Sequence, residues 1–508
     1  MGDVPVTGAP RPPPEDVAIA IVGAGFGGLG MAIRLKQQGV RDFVVLERAS
    51  DVGGTWFANA YPGCQCDVPS NLYSFSFAPN PDWTHSYPLQ PQIQRYLRRC
   101  AERFGILEHT HLNCEMQEAA WDSAAGRWQI ETSSGRLRAK VLVAAPGLLS
   151  EPTAPPIPGL DRFGGTVFHT ARWDHGHDLS GERVALIGTG ATAVQVGPQI
   201  RPKVARLHVF QRTPGWVLPH PDRAIPRAIR RLYARVPAIQ RLVRHGDYAM
   251  RETLAAGMTH HRRLLGPVEL VARAQLRVQV RDPAMRAQLT PRYHIGCKRV
   301  LLSNQWYPML VAPNAELVTA PIAEVRERSI VTADAAERAI DSIILATGFR
   351  PTNPPIAHRL AGADGQLLAD AWNGSPQAYV GTVISGFPNL FLLYGPNVNL
   401  GHSSIVYMLE SQIHYVLQAI ALLRRRDVKA LDVRPAVQRA YNEDVARRLS
   451  RTVWDAGGCA SWYLDANGRN STMWPDYTFR YRRRVDRFDV ADYDVEPVTR
   501  STAAATTA

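Results

Sequence analysis

Cysteine is scarce in this chain, with six among 508 residues, at Cys64, Cys66, Cys100, Cys114, Cys297 and Cys459. No two of them form a C-x-x-C pair, so a disulfide framework, a dithiol redox centre and a zinc ribbon all lack a sequence basis, no metal site is expected, and all six are expected to be reduced and structural. No uninterrupted apolar run reaches the roughly 18 residues of a membrane-spanning helix. The N-terminus lacks a charged-then-apolar leader, and the expectation is a soluble, cytoplasmic protein. Acidic residues are outnumbered 45 to 58 by Lys and Arg, a net charge of +13. That charge is compatible with nucleic acid, anionic lipid or an anionic small molecule and decides nothing alone.

What is present is a globular composition, 45% hydrophobic and 20% charged, on a chain too long for one core, so two or three packed domains are expected. The Pro-rich lead over 1–16 and the Thr/Ala-rich end over 489–508 are expected to be mobile. Two segments share one grammar: a β-branched run, a glycine turn, a helix opening on small residues, then another apolar run. The first runs from Val17 to Val22 through Gly23-Ala24-Gly25-Phe26-Gly27-Gly28 to Val44-Val45-Leu46-Glu47. The second runs from Val184 to Ile187 through Gly188-Thr189-Gly190-Ala191-Thr192-Ala193 to Leu207-His208-Val209-Phe210. The stretch 219–291 breaks the pattern, being rich in Ala, Leu and Arg at helical spacing, and reads as a helical insertion. Its arginines read as a solvated face, with no reader motif for nucleic acid beside them. Strand grammar returns at Ile340 to Phe349 and around Leu390 to Leu393.

In the first unit Gly23 permits a tight turn, Gly25 lets backbone approach a pyrophosphate and Gly28 lets helix pack on strand, while Glu47 stands where a carboxylate receives a ribose diol. The helix N-terminus favours the phosphates. The second unit has no acid at the matching place but Gln211-Arg212-Thr213. Arg212 can fork onto a 2′-phosphate and Thr213 can donate a hydroxyl, which favours NADP over NAD; the alternative is a surface arginine after a strand. Two such units suggest a flavin that takes hydride from a nicotinamide.

Gly53-Gly54-Thr55-Trp56, Tyr61-Pro62-Gly63 and Asp67 match a G-G-x-W-x-x-x-x-Y-P-G-x-x-x-D pattern, and Phe163 to Asp174 match F-x-G-x-x-x-H-x-x-x-W-[P/D]. By these motifs the chain resembles the Baeyer–Villiger monooxygenases, and Trp173-Asp174 separates it from the related N- and S-oxygenating flavin monooxygenases, the alternative reading. The likeness continues through Gly296-Cys297-Lys298-Arg299, Ala346-Thr347-Gly348-Phe349, Gly386 to Leu390 and Ser461-Trp462-Tyr463. It implies an α/β fold of two Rossmann-like dinucleotide-binding domains, for FAD and NADP, with the helical insertion. The expected division is 17–150 with 345–488 for FAD, and 151–218 with 292–344 for NADP.

The implied activity is an NADPH- and O2-dependent insertion of oxygen beside a ketone carbonyl, giving an ester or lactone by way of a flavin peroxide. The implied partners are a small ketone and O2, with no nucleic acid or integral membrane, in a monomer or homodimer. The resemblance makes Arg299 the active-site arginine and Asp67 the carboxylate that orients it. Lys298, Arg212 and Thr213 become contacts to the 2′-phosphate, and Trp462 the tryptophan of a loop over the nicotinamide ribose. Gly54, Thr55, Trp56, Gly188, Thr189, Gly190, Thr192 and Asn397 join the cofactor contacts. An arginine suits anion stabilisation because its guanidinium stays charged and forks onto oxygen pairs. Asp67 with Arg299 could equally be a structural ion pair.

His169 is a candidate base, but its place between the two units favours a positioning role. Trp56 and Tyr61 line either the flavin or the core. Pro146 stands where the pattern has a small hydroxyl residue, and Tyr394 to Asn397 with Gly401 to Ser404 depart from the cyclic-ketone enzymes, so substrate is not carried over. His402 is either a loop histidine or a contact to flavin or substrate. A flavin reductase or oxidase, and a nucleic-acid-binding protein on a degenerate nucleotide fold, are the readings from other classes.

Overall fold

The computed structural model describes residues 12–425 and 427–498. The expected mobile lead over 1–16 lies largely outside them, as does the chain after residue 498. Two sheets organise the protein. In the first, the strands run in the order Leu360–Ala361, Met116–Asp122, Arg127–Thr132, Gly135–Ala144, Asp16–Val22, Phe43–Leu46, Thr110–His111, with Leu390–Leu392 joining Gly135–Ala144. Its centre is parallel: Val22 lies beside both Leu46 and Ala144. The second sheet is parallel throughout, in the order Ala315–Val318, Arg206–Phe210, Arg183–Ile187, Ser342–Leu345, Thr166–His169.

Parallel strands need helical crossovers, and the glycine turns supply them. Phe26–Gln37 follows the first turn and Ala191–Ile200 the second. Within the first helix Gly30 has no room for a side chain, because a Cβ there would lie 2.9 Å from both Ile413 and Phe75. That contact seats the helix against Ile405–Leu423, a buried core helix and, among the described residues, the single one whose length and apolar composition would suit a membrane span.

The two sheets are joined by a pair of crossover segments that run against each other. Thr153 donates its N–H to Gly348, Arg350 donates to Glu151, and Thr347 hydrogen-bonds the Thr153 carbonyl. Pro146 sits in the first of these, one residue before Gly147 at φ 73°.

Residues 219–291 are helical, chiefly Arg227–Arg235, Pro237–Ala255, Gly266–Gln279 and Pro283–Leu289. The two stems of this insertion are sewn together by the parallel pairing of Val217–Leu218 with Leu301–Leu302. Trp216 Nε1 also donates to the Tyr293 carbonyl at 2.9 Å, and Tyr293 Oη to that of Pro214 at 3.0 Å. Arg299 is thereby carried on a stem anchored at both sides.

Two expectations are corrected. The C-terminal segment is not loose from residue 489: Tyr493–Pro497 forms an antiparallel strand with Val428–Val433, and Tyr493 is buried against Phe488. The alternation of apolar Tyr493 with polar neighbours is too short to stand out in a sequence. Second, the cysteines are not all reduced, since Cys297 and Cys459 are joined in a disulfide across 162 positions. Cysteines this far apart carry no spacing signal, and their approach is set by the tertiary fold alone. The other four are free and buried.

Candidate active site

The two glycine turns have nearly the same backbone. Gly23 and Gly188 sit at φ 98° and 118°, and a Cβ on either would collide with a carbonyl oxygen, that of Ala145 at 2.5 Å or of Ala346 at 2.4 Å. Gly25 and Gly190 then occupy the two N-cap positions at φ −82°, and neither helix start is capped by a side chain. Uncapped N–H groups at two helix ends are an anion-binding arrangement. Gly25 faces Gly54, whose added Cβ would lie 2.9 Å from the Gly25 Cα, while the space around Gly190 is open. Gly28 stands behind the turn, where a Cβ would strike the Gly23 carbonyl at 1.8 Å, so it serves packing and not the cleft wall.

Both turns open into one cleft of about 1460 Å3. It is lined by Gly23, Gly25, Glu47, Gly54, Thr55, Trp56 and Asp67 from the first half, and by Gly188, Thr189, Gly190, Thr192, Arg212, Thr213, Lys298, Arg299 and Trp462 from the rest. Glu47 is buried and fixed, its Oε2 accepting from Ala24 N at 2.7 Å and its Oε1 from Ala49 N at 2.9 Å. Each carboxylate oxygen keeps a lone pair for a further donor.

At the meeting of the two halves Arg299 grips Asp67, Nε to Oδ2 at 2.7 Å and Nη2 to Oδ1 at 2.6 Å. Both side chains stay partly open to the cleft, at 36% and 27% of their surface. Burial opposes ionisation of Asp67, but the guanidinia of Arg299 and Arg251 outweigh it and hold the carboxyl below the usual carboxylate range. The Asp67 charge in turn raises Arg299 above an ordinary arginine, against its own burial. Arg251, from the helix Pro237–Ala255, donates to the Asp67 carbonyl and to Tyr87 Oη, each at 3.1 Å. Tyr394 and Tyr463 flank Arg299, and burial pushes the Tyr463 phenol up to about 12.

Lys298 and Arg212 face one another closely enough that, after burial, Arg212 is the second cause lowering the Lys298 pKa. Among the described residues neither has a carboxylate partner. Two unpaired cations held near each other fit a doubly charged anion. Thr189 Oγ1 donates to the Thr213 carbonyl at 3.1 Å, tying the glycine turn to the Arg212 loop. Trp462 is 38% exposed on the cleft and stacks at a tilt on buried Tyr463. The Cys297–Cys459 bond ties this loop to the Lys298-Arg299 stem.

Three expected residues fall elsewhere. Asn397 is corrected from a cofactor contact to a structural clasp: it is buried off the cleft, its amide donating to the carbonyls of Asn470 at 2.9 Å and Met473 at 3.1 Å. His169 is also off the cleft, its Nδ1 accepting from Ala171 N at 3.0 Å and its ring against Phe349, with burial holding it below the usual histidine range. His402 is fully buried beside the helical insertion. Trp56 does line the cleft, and its Nε1 donates to Tyr73 Oη at 3.1 Å.

The sequence reading missed Gln195, Arg251 and Tyr394. Gln195 bridges the two halves, accepting from Tyr61 Oη at 3.0 Å and donating to the Gln65 carbonyl at 2.8 Å. No local pattern marks a polar residue on a helix for such a contact.

Residues 20–238 match the Pyridine nucleotide-disulphide oxidoreductase family. The chain is 51% identical to a Baeyer-Villiger monooxygenase of Streptomyces coelicolor, over 95% of this chain and 93% of that one. It is similar in structure to cyclohexanone monooxygenase from Rhodococcus sp. Phi1 bound to NADP+, with a TM-score of 0.84 at 27% identity over 95% and 99% of the two chains. OTEMO in complex with FAD and NADP gives the same TM-score and identity over 96% and 100%.

Proposed function

The chain belongs to the Baeyer–Villiger monooxygenase family, and from that premise we propose how its own residues divide the work of an FAD- and NADPH-dependent oxygen insertion beside a ketone carbonyl. The observation that carries the reading is the forked Arg299–Asp67 pair, placed where two uncapped glycine-turn helices open into one cleft. Residues 17–150 with 345–488 form the FAD-binding part, 151–218 with 292–344 the NADP-binding part, and 219–291 walls the substrate side.

The residues fit both cofactors. Gly23, Gly25 and Gly54 line the cleft at an uncapped helix start, an arrangement suited to the FAD pyrophosphate, and Glu47 keeps lone pairs for its ribose. Gly188, Gly190 and Thr192 take the NADP pyrophosphate, Lys298, Arg212 and Thr213 the 2′-phosphate, and Trp462 covers the nicotinamide ribose. Bound FAD supplies a redox centre that accepts two electrons from NADPH and activates O2 for transfer of one oxygen atom.

Arg299 holds a fixed positive charge where negative charge builds on oxygen during addition to the carbonyl. Asp67 takes the Nε face and one Nη2 hydrogen, which leaves Nη1 free to donate into the cleft. Asp67 and Arg251 together keep that guanidinium from swinging away, and Gln195 keeps the two halves in register. His169 holds the crossover and takes no proton.

The test is product analysis with NADPH, isotopically heavy O2 and a panel of ketones. One heavy oxygen atom in an ester or lactone is the expected result. Consumption of NADPH with hydrogen peroxide as the sole oxygen product from every ketone would sink the reading.

A further inference from the structure

A second cavity, of about 80 Å3, shares Asp67, Val68, Arg299, Leu400 and Ser403 with the large cleft, so it opens on the same guanidinium. Leu254, Met258, Leu265 and Val268 of the helical insertion make most of its wall apolar. That wall is interrupted by Asp67, Arg251 and Arg299 and by two consecutive loop residues, His402 and Ser403.

The His402 side chain has no exposed surface, and neither of its ring nitrogens makes a hydrogen bond. The Glu252 carboxylate lies beside it, with Oε1 3.4 Å from Nε2. Glu252 is itself buried and held, Oε1 accepting from Thr478 Oγ1 at 2.7 Å and Oε2 from Thr478 N at 3.0 Å. Ser403 Oγ is likewise buried without a partner. Buried polar atoms left unpaired are costly, and two consecutive residues that carry them on the wall of one cavity call for an occupant that pairs with both.

The chemistry of that occupant follows from the donors and acceptors. With the Glu252 carboxylate facing Nε2, the tautomer that carries its hydrogen there presents Nδ1 as an acceptor. The serine hydroxyl both donates and accepts. A ligand hydroxyl satisfies the two together, its hydrogen going to Nδ1 and its oxygen receiving the Ser403 hydrogen. A carbonyl satisfies the serine alone, and an alkyl group satisfies neither.

We propose that the substrate is a hydroxyketone, with an apolar spacer between carbonyl and hydroxyl, and that His402 and Ser403 are the specificity-determining residues that hold the hydroxyl end while Arg299 faces the carbonyl end. This rests on the monooxygenase reading for the role of Arg299, but not for the hydroxyl contact. Glu252 is a positioning residue that sets the His402 tautomer.

The experiment is equilibrium binding to the oxidised, FAD-loaded enzyme with NADP+, read by the perturbation of flavin absorbance. The probes are ring and chain ketones carrying a hydroxyl progressively farther from the carbonyl, each against the isostere with methyl in its place. The expected result is that at least one hydroxyketone binds about tenfold or more tightly than its methyl isostere. His402→Leu and Ser403→Ala should each remove most of that preference, and His402→Gln, which keeps an acceptor, should retain part of it.

Equal or weaker binding of every hydroxyketone overturns the proposal, as does a preference that persists in His402→Leu with normal FAD content. A merely structural His402 would lower the melting temperature and leave the discrimination intact. Should His402→Leu fail to fold, Ser403→Ala decides in the same way. Ester formation from the plain ketones is scored separately: ester without hydroxyl preference overturns this proposal alone, whereas hydroxyl preference without ester overturns the monooxygenase reading alone.

Discussion

Arg299 and Asp67 stand 232 positions apart in the chain and meet in a two-pronged ion pair, 2.7 Å from Nε to Oδ2 and 2.6 Å from Nη2 to Oδ1. The pairing leaves one edge of the guanidinium unused toward the cleft, which is the geometry an anion-stabilising group needs.

Replacing Arg299 with Ala should cut ester formation by about 10²- to 10³-fold or more, the usual loss for removing one such donor. FAD content and the rate of anaerobic reduction by NADPH should change by no more than a few-fold. Lysine should rescue little, because a point charge cannot hold Asp67 through two bonds. Stopped-flow reduction and product yield on the same samples separate the two effects.

Asp67→Asn keeps the shape and removes the charge. Turnover should fall about 10- to 100-fold, the worth of a charge-assisted hydrogen bond. Because the native carboxyl is held below its ordinary range, its stabilising contribution is present above the unfolded pKa and is lost as pH falls through the lower, folded one. The variant should therefore show a flatter acid limb in thermal melts taken from neutral pH downward.

Asp432 runs the other way. Burial, with Asp494 as a further contribution, raises its carboxyl from an ordinary 3.8 to about 6, although Gly386 N–H donates to it. A folded acid with a raised pKa costs stability once pH exceeds the unfolded value, and the cost is complete above the folded one. Asp432→Asn should gain about 1–2 kcal/mol near neutral pH and nothing at acid pH, as read by melting temperature across that window.

Arg212→Ala and Lys298→Ala should each lower kcat/KM for NADPH by about 10- to 100-fold and leave that for NADH nearly unchanged, since the lost contact is a charge-assisted one to the 2′-phosphate. Steady-state kinetics with both coenzymes reads the ratio, and parallel losses on both would refute the assignment.

The Cys297–Cys459 bond connects the Lys298-Arg299 stem with the loop that carries Trp462. Cys459→Ser should lower stability by about 2–4 kcal/mol and raise KM for NADPH more than it lowers kcat, because the loop loses its tether. Alkylation followed by mass measurement, with and without reductant, checks the bond itself: two further thiols should react after reduction of the unfolded chain.

Much of this site was legible from local pattern. Gly23, Gly25, Gly188 and Gly190 announce their turns because only residues without a Cβ tolerate the neighbouring carbonyls, and that constraint is written within a few positions of chain. Glu47 and Arg212 stand at a fixed offset from such a turn, whereas Asp67 and Arg299 were singled out by the family resemblance of the segments that carry them. Asn397 was not legible in that way: its segment departs from the family's pattern, and only the structure turns its amide toward Asn470 and Met473.

The amino-acid sequence by itself determined the two strand–turn–helix units and the helical character of 219–291, since both follow from periodicity and backbone sterics over short windows. Only the tertiary structure decided that Cys297 reaches Cys459, that Gln195 bridges the halves and that His402 lies against Glu252 in an apolar cavity. Those contacts join residues far apart in the chain, and their closeness is a property of packing, which no local spacing encodes.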